Sequence, residues 1–284
     1  MISLPFRPPL PAASLLGFLG DRAIPGVEEV VGSTYRRSVP TPGAPAVLAV
    51  HASEDRVDLD APPDPRLAGA ARALFDLDAD PGEVAAALRT DPVLALLVRR
   101  RRGVRVPGAA DRFELLVRAV LGQQVSVPAA RTMLGRVADR FGAVAPTGHP
   151  GIVRVFPRPD ALAEAGLEAL GITGRRARTI RRVAGLVARG EIDLAADADE
   201  VAGRLLELDG IGPWTVDYVR MRAFGDRDAF PVGDLGLRRA AERLGLDPAP
   251  RALLARAEAW RPWRAYAAVL LWGELARPVS LSRS

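Results

Sequence analysis

From residue 111 onward, apolar residues recur mostly at the helical spacing of about 3.6 residues. Behind Asp111, the residues Phe113, Leu116, Val117, Val120 and Leu121 form one stripe that stops at Gly122. Ser126 caps the next helix, which runs to about Phe141 with Met133, Leu134 and Val137 inward. A Pro/Gly-rich link from Pro146 to Pro159 leads to short helices around Asp160 and Leu167. The stretch 174–189 then carries Ala177, Ile180, Ala184 and Val187 on one face. Asp199 to Leu208 reads as a short amphipathic helix, Pro213 to about Phe224 as another, and Leu235 to Leu244 as a third with Asp234 as its N-cap. The closing helices carry Trp260, Trp263, Tyr266, Leu270, Leu271 and Trp272; an aromatic stripe at this spacing is core by default, and Trp263 and Tyr266 are assigned there.

The first hundred residues pattern differently. Ser14 caps a helix from Leu15 to about Arg22. Tyr35–Val39, Ala46–His51 and Arg56–Asp60 read as strands between Pro-Thr-Pro-Gly and Ser-Glu-Asp turns. Asp64-Pro65, Asp80-Pro81 and Asp91-Pro92 each set an acidic cap before a proline, which loses nothing at a first helical position. Strands followed by helices on one face suggest a small α+β domain. The expectation is a mostly α protein with an α+β N-terminal domain, residues 1–108, ending at Pro107-Gly108. An all-α region, 109–284, follows and can split into 109–200 and 201–284, flanking a cleft.

The stretch Leu208-Asp209-Gly210-Ile211-Gly212-Pro213-Trp214-Thr215-Val216-Asp217-Tyr218 stands out. Gly210 suits a positive φ, and Gly212 a close backbone approach. Helix, tight turn and helix leave backbone N–H groups facing outward at a helix N-terminus, where a phosphate can bind without side-chain charge. An ordinary helix–turn–helix connector has the same pattern. Trp214 and Tyr218, four residues apart, share one helix face. Gln123 and Gln124 are the only glutamines in the chain and occupy one turn, which hints at a hydrogen-bonding or wedging role. The run Arg99–Arg102 reads as a cluster complementing its helix dipole or as a phosphate-contacting edge, and Arg175, Arg176, Arg178, Arg181 and Arg182 read as a solvated face. The second run, however, opposes its helix dipole unless an anion lies nearby.

Composition narrows the chemistry. The 284 residues carry a formal charge of +5 and a sequence pI of about 10.6, which favours an anionic partner. No apolar run approaches a membrane span and no secretory signal is visible, so a cytoplasmic protein without membrane contact is expected. There is no cysteine, so disulfides, thiolate metal sites and cysteine-held clusters are excluded. All 39 basic residues are arginine, so no lysine side chain can form a Schiff base. His51 and His149 are far apart in sequence, which argues against a histidine triad or zinc site. Catalysis should rest on a carboxylate.

The hairpin, the Trp214–Tyr218 pair, the Gly/Pro-containing loop and Asp234 resemble the helix-hairpin-helix superfamily of DNA glycosylases. Leu121-Gly122-Gln123-Gln124-Val125-Ser126, Trp260-Arg261-Pro262-Trp263-Arg264-Ala265-Tyr266, Leu16-Gly17-Phe18-Leu19 and Leu74-Phe75-Asp76-Leu77 resemble its bacterial 3-methyladenine DNA glycosylase II branch. The likeness covers nearly the whole chain and extends to the glycosylase part of adaptive-response regulator fusions. The chain is therefore expected to be free-standing or excised from such a fusion.

The resemblance implies a monofunctional, hydrolytic enzyme of base excision repair, a monomer acting at the bacterial nucleoid on duplex DNA with an alkylated base of the 3-methyladenine type, over a broad range. It makes Asp234 the catalytic acid and Phe18, Trp214, Tyr218 and Trp272 the base pocket. Gln123 and Gln124 would fill the gap left by the extruded nucleotide, and Gly210, Gly212 and Thr215 would grip the phosphates. It implies no cofactor for catalysis, and a structural monovalent ion on the carbonyls of Leu206, Leu208 and Ile211. Bifunctional relatives use a lysine on the second hairpin helix; here Trp214 stands in that neighbourhood and lyase activity is not expected. Leu235 replaces an aromatic that some relatives carry beside the aspartate. Two other readings stand: a glycosylase for mismatched bases or uracil, and a non-catalytic DNA-binding protein.

Overall fold

The computed structural model describes residues 1–41 and 43–275. Its elements run β1 (Ile2–Ser3), α1 (Ala12–Arg22), β2 (Glu28–Val31), β3 (Thr34–Val39), β4 (Ala46–Ala52), β5 (Val57–Asp60), α2 (Pro65–Phe75), α3 (Pro81–Leu88) and α4 (Pro92–Arg100). There follow α5 (Arg112–Gly122), α6 (Val127–Phe141), α7 (Pro159–Ala163), α8 (Gly174–Ala188), α9 (Ala198–Leu206), α10 (Pro213–Ala223), α11 (Leu235–Arg243), α12 (Pro250–Ala257) and α13 (Arg264–Gly273). The protein is mostly helical, with one antiparallel sheet of order β1-β5-β4-β3-β2 near the N-terminus. No helix among the described residues is long and apolar enough to cross a membrane.

Helix starts follow the local chemistry. Asp64, Asp80 and Asp91 each accept hydrogen bonds from first-turn N–H groups, and Asp111, Ser126, Asp197 and Asp234 do the same for later helices. Ser14 does not. Helix α1 begins earlier, at Ala12 behind Pro11, because burying Leu10 and Ala12 beside the sheet fixes its start. Strands β1 and β2 lack a sequence signature. The run Glu28-Glu29-Val30-Val31 does not alternate, and it is a strand because it pairs with β3, setting Glu29 opposite Arg36. Pro42, in the turn expected between β3 and β4, lies outside the described residues.

Among the described residues, three apolar clusters form the interior. Tyr35, Val50 and Leu59 from neighbouring strands pack with Leu15, Leu16 and Leu19 of α1 and Leu67, Leu74 and Phe75 of α2. A second cluster joins α5, α6, α8, α9 and α10 through Leu116, Val120, Val137, Ile180, Leu205 and Val216, and takes in Ile24 and Val27. The third unites Val84, Leu94, Leu97 and Val106 with Phe230, Leu237, Trp260, Tyr266 and Leu271. Residues before and after Pro107-Gly108 thus share a core, because the apolar faces of α3 and α4 are covered by the C-terminal helices. Trp263 and Tyr266 are buried, as their spacing suggested.

A buried ionic cluster stitches the sheet to α5. Arg37 of β3 pairs with Glu114 at 2.6 Å and Glu28 at 3.2 Å, while Arg118 pairs with Glu114 at 2.6 Å and with Glu28. Two carboxylates facing two guanidiniums balance in charge, which is what makes such burial tolerable. Arg118 also donates to the Arg22 carbonyl at 2.8 Å, fixing the end of α1 and hence Phe18 one turn earlier.

Candidate active site

The hairpin between α9 and α10 is braced from two sides. Gly210 has φ +88°, and a Cβ there would lie 2.2 Å from Thr179 Oγ1 of α8. That hydroxyl donates to the Asp209 carbonyl at 3.0 Å. From the α5–α6 turn, Gln123 Nε2 donates to the Gly210 carbonyl at 2.8 Å and to Thr215 Oγ1 at 3.0 Å. Arg176 in turn donates to the Gln123 carbonyl.

This corrects three expectations. Thr215 is 2% exposed, so its hydroxyl faces the brace rather than an outside phosphate. Gln123 is likewise tied to the hairpin and is not free to fill a gap, whereas Gln124 is exposed at φ +54°. The close approach belongs to Gly210; at Gly212 a Cβ would meet no protein atom within 4 Å. Pro213 opens α10 with Gly212 as N-cap. The N–H groups of Gly210, Gly212 and Trp214 find no acceptor among the described residues, the arrangement suited to an anion.

Asp234 sits one loop further on, half-buried, where it caps α11 and also joins two rings. Its Oδ1 accepts from Leu237 N–H at 2.9 Å and from Trp272 Nε1 at 2.8 Å, and its Oδ2 from Trp214 Nε1 at 3.1 Å. Trp214 stacks on Tyr218 with centroids 5.7 Å apart, and Tyr218 meets Trp272 edge-on at 6.4 Å. Phe18 reaches the cluster through arginine. Arg22 lies 3.8 Å from its ring centroid and Arg222 4.7 Å, with Arg222 also 5.5 Å from that of Tyr218. All five expected residues, Phe18, Trp214, Tyr218, Asp234 and Trp272, therefore come together. Leu235 is 55% exposed at the start of α11.

Two residues of this site were not read from the sequence. A Cβ on Gly236 would lie 2.8 Å from Asp234 Oδ1 and 3.2 Å from Trp272 Cδ1, so a glycine here lets the indole close on the carboxylate. Arg222 donates to the Tyr218 hydroxyl at 2.8 Å. Its place four residues after Tyr218 and eight after Trp214 is a helix-face signal that the sequence did contain. A cavity of about 250 Å³ lined by Asp76, Arg112, Arg222 and Tyr266, among others, includes none of Trp214, Tyr218, Asp234 and Trp272.

The carbonyls of Leu206 and Ile211 accept no backbone hydrogen bond outside the helices among the described residues, while that of Leu208 accepts Ile211 N–H at 3.0 Å. Oxygen atoms of this kind fit a hard, weakly charged cation. No group of three or more His, Cys, Asp or Glu among the described residues could hold a metal ion. Of the arginine runs, Arg101 donates to the Gly273 carbonyl, pinning α4 to α13, and Arg181 pairs with Glu168 at 2.8 Å. Arg175, Arg178 and Arg182 remain exposed on α8, the helix that braces the hairpin.

Comparisons with known proteins cover nearly the whole chain. Residues 1–111 match the family described as the AlkA N-terminal domain, and residues 117–265 the HhH-GPD superfamily of base excision DNA repair proteins. The chain is 33% identical to DNA-3-methyladenine glycosylase 2 of Escherichia coli, covering 96% of each protein. It is 40% identical to a Mycobacterium tuberculosis protein described as a probable bifunctional transcriptional activator/DNA repair enzyme, covering 98% of this chain but 58% of that relative's length. Among solved structures, a 3-methyladenine DNA-glycosylase from Archaeoglobus fulgidus superposes with a TM-score of 0.81 at 23% identity, covering 96% of this chain and 97% of that one, which speaks for the fold alone.

Proposed function

The chain belongs to the HhH-GPD superfamily of base excision DNA repair proteins, in its DNA-3-methyladenine glycosylase branch, and on that premise we propose that it hydrolytically excises alkylated bases from duplex DNA. The observation that carries this reading is Asp234, held by the indole N–H groups of two rings of an aromatic pocket. A base inside a duplex must leave the stack before its glycosidic bond can be attacked. The free hairpin amides grip the backbone, and exposed Gln124 is the wedge that fills the gap, with Gln123 as its brace. Ring alkylation makes a purine cationic, and the electron-rich faces of Trp214, Tyr218 and Trp272 attract it. The C1′–N bond then breaks with its electron pair staying on the base. Asp234 stabilises the cationic sugar and orients the water whose oxygen bonds to C1′, the water proton passing to solvent. The enzyme acts as a monomer in the cytoplasm. A monovalent ion on the Leu206, Leu208 and Ile211 carbonyls would hold the hairpin turn against the phosphate.

The reaction ends at the abasic site, because lyase chemistry needs an amine at C1′ and this chain has no lysine. The expected result with a duplex containing 3-methyladenine is release of the free base, strand nicking only after added alkali, and no borohydride-trapped adduct. Uracil and mismatched duplexes are expected to react far more slowly. Comparable rates on those substrates would favour a mismatch or uracil glycosylase, no base release at all a binding protein, and a stoichiometric trapped adduct would overturn the hydrolytic mechanism.

The two hairpin glycines should separate. Gly212 has φ −109°, so Gly212→Ala should leave stability within about 0.5 kcal/mol of the parent. By blocking the phosphate from the turn it should weaken damaged, abasic and undamaged duplexes alike, by roughly tenfold or more. Gly210→Ala should lose stability as well, since its positive φ costs an L-residue about 1–2 kcal/mol and its Cβ collides with Thr179. Fluorescence anisotropy and urea unfolding report the two quantities. Full duplex affinity in folded Gly212→Ala would remove the hairpin as the anchor.

A further inference from the structure

We propose that Arg222 is a positioning residue that sets the Tyr218 hydroxyl as a hydrogen-bond donor to the bound base, favouring release of neutral purines relative to cationic ones. The inference rests on the glycosylase reading and deepens it at the leaving base. Arg222 is 5% exposed, yet no carboxylate among the described residues lies within ion-pair distance of it. Its Nε donates to the Pro107 carbonyl and its Nη2 to that of Gly108 at 3.0 Å. The remaining edge, Nη1, is spent on Tyr218 at 2.8 Å, and the guanidinium carbon lies 4.7 Å from the Phe18 ring centroid and 5.5 Å from that of Tyr218. A buried cation without a counter-ion is expensive. A neutral donor could pin the Pro107-Gly108 carbonyls at lower cost, so the charge itself needs a reason.

The reason lies in the direction of the hydrogen bond. A guanidinium has no acceptor, so the phenol oxygen must accept from it, and the phenol proton is left to donate elsewhere. No acceptor for that proton lies among the described residues. Tyr218 is stacked on Trp214, itself bonded to Asp234, so its hydroxyl borders the same pocket. Burial opposes ionisation of Tyr218, but Arg222, with Arg22 and Arg118, outweighs it and brings the phenol below its ordinary range. The hydroxyl is thereby a stronger donor.

The two classes of base leave with different charge. In a ring-alkylated purine, the electron pair of the broken C1′–N bond cancels the positive charge, and the base departs neutral. In a neutral purine the same pair makes the departing base an anion until water protonates it. A positive field and a donated O–H stabilise the anion and give the first class no such help. Asp234 and the indole faces serve the cation; Arg222 and Tyr218 widen the pocket's range toward the other class.

Single-turnover release of 7-methylguanine and of hypoxanthine from matched duplexes tests this in the parent, Tyr218→Phe, Arg222→Met and Arg222→Lys. The ratio of hypoxanthine to 7-methylguanine rates is expected to fall about tenfold or more in Tyr218→Phe and Arg222→Met, the worth of one charge-supported hydrogen bond. Arg222→Lys, which keeps a cationic donor, should recover part of the ratio. Equal losses on both bases overturn the proposal and leave Arg222 as a structural pin. If Arg222→Met does not fold, Tyr218→Phe decides alone, since it removes one oxygen; an unchanged ratio there overturns the proposal. A parent that releases 7-methylguanine but not hypoxanthine overturns it too, whereas a parent that releases neither overturns the glycosylase reading beneath it.

Discussion

Asp234→Asn is expected to lower single-turnover release of 3-methyladenine by roughly 10²–10³-fold or more, while affinity for an abasic duplex stays within a few-fold of the parent. The carboxylate acts on positive charge that exists only as the glycosidic bond breaks, so removing it should affect turnover more than binding. The local geometry sharpens the expectation. The amide oxygen of Asn can keep the bonds from Leu237 N–H and Trp272 Nε1, so the α11 cap should survive. Its NH₂ group would then face Trp214 Nε1, donor against donor, and that indole should loosen. Stability should change little. A folded variant with a near-parent rate would mean that Asp234 is a helix cap only.

Glu114→Gln is expected to cost roughly 3–5 kcal/mol of stability, as for one partner removed from a buried ion pair. Arg37 and Arg118 would then share Glu28 alone. Burial acts to raise the Glu114 carboxyl, but Arg37 and Arg118 prevail and hold it well below the usual carboxylate range. Its contribution is therefore fully present above the unfolded-state value of about 4.3 and is lost as pH falls toward the depressed folded value. Urea midpoints should drop between pH 5 and pH 3, more steeply in the parent than in Glu114→Gln. Parallel pH profiles would show that this cluster does not carry the acid sensitivity. Because Arg118 also holds the end of α1, the substitution should disturb Phe18 as well.

Much of this protein is legible in sequence because it depends on residues within one helical turn of each other. The caps at Asp64, Asp80, Asp91, Ser126 and Asp234 need only an acceptor placed before a free N–H, and the positive φ of Gly210 follows from the tight turn around it. The Trp214–Tyr218 stack is a spacing along one helix, and the absence of lysine is a matter of composition. What only the tertiary structure decided spans long separations. Strand β2 exists through its partner; Gln123 and Thr215 turn inward because α5, α8 and the hairpin meet; Gly236 is needed because Trp272 arrives from another helix. Arg222 is drawn to carbonyls more than a hundred residues earlier in the chain. Periodicity says which face of an element is buried, but a polar side chain takes its partner from whatever element packs against it. That partner is set by the fold as a whole.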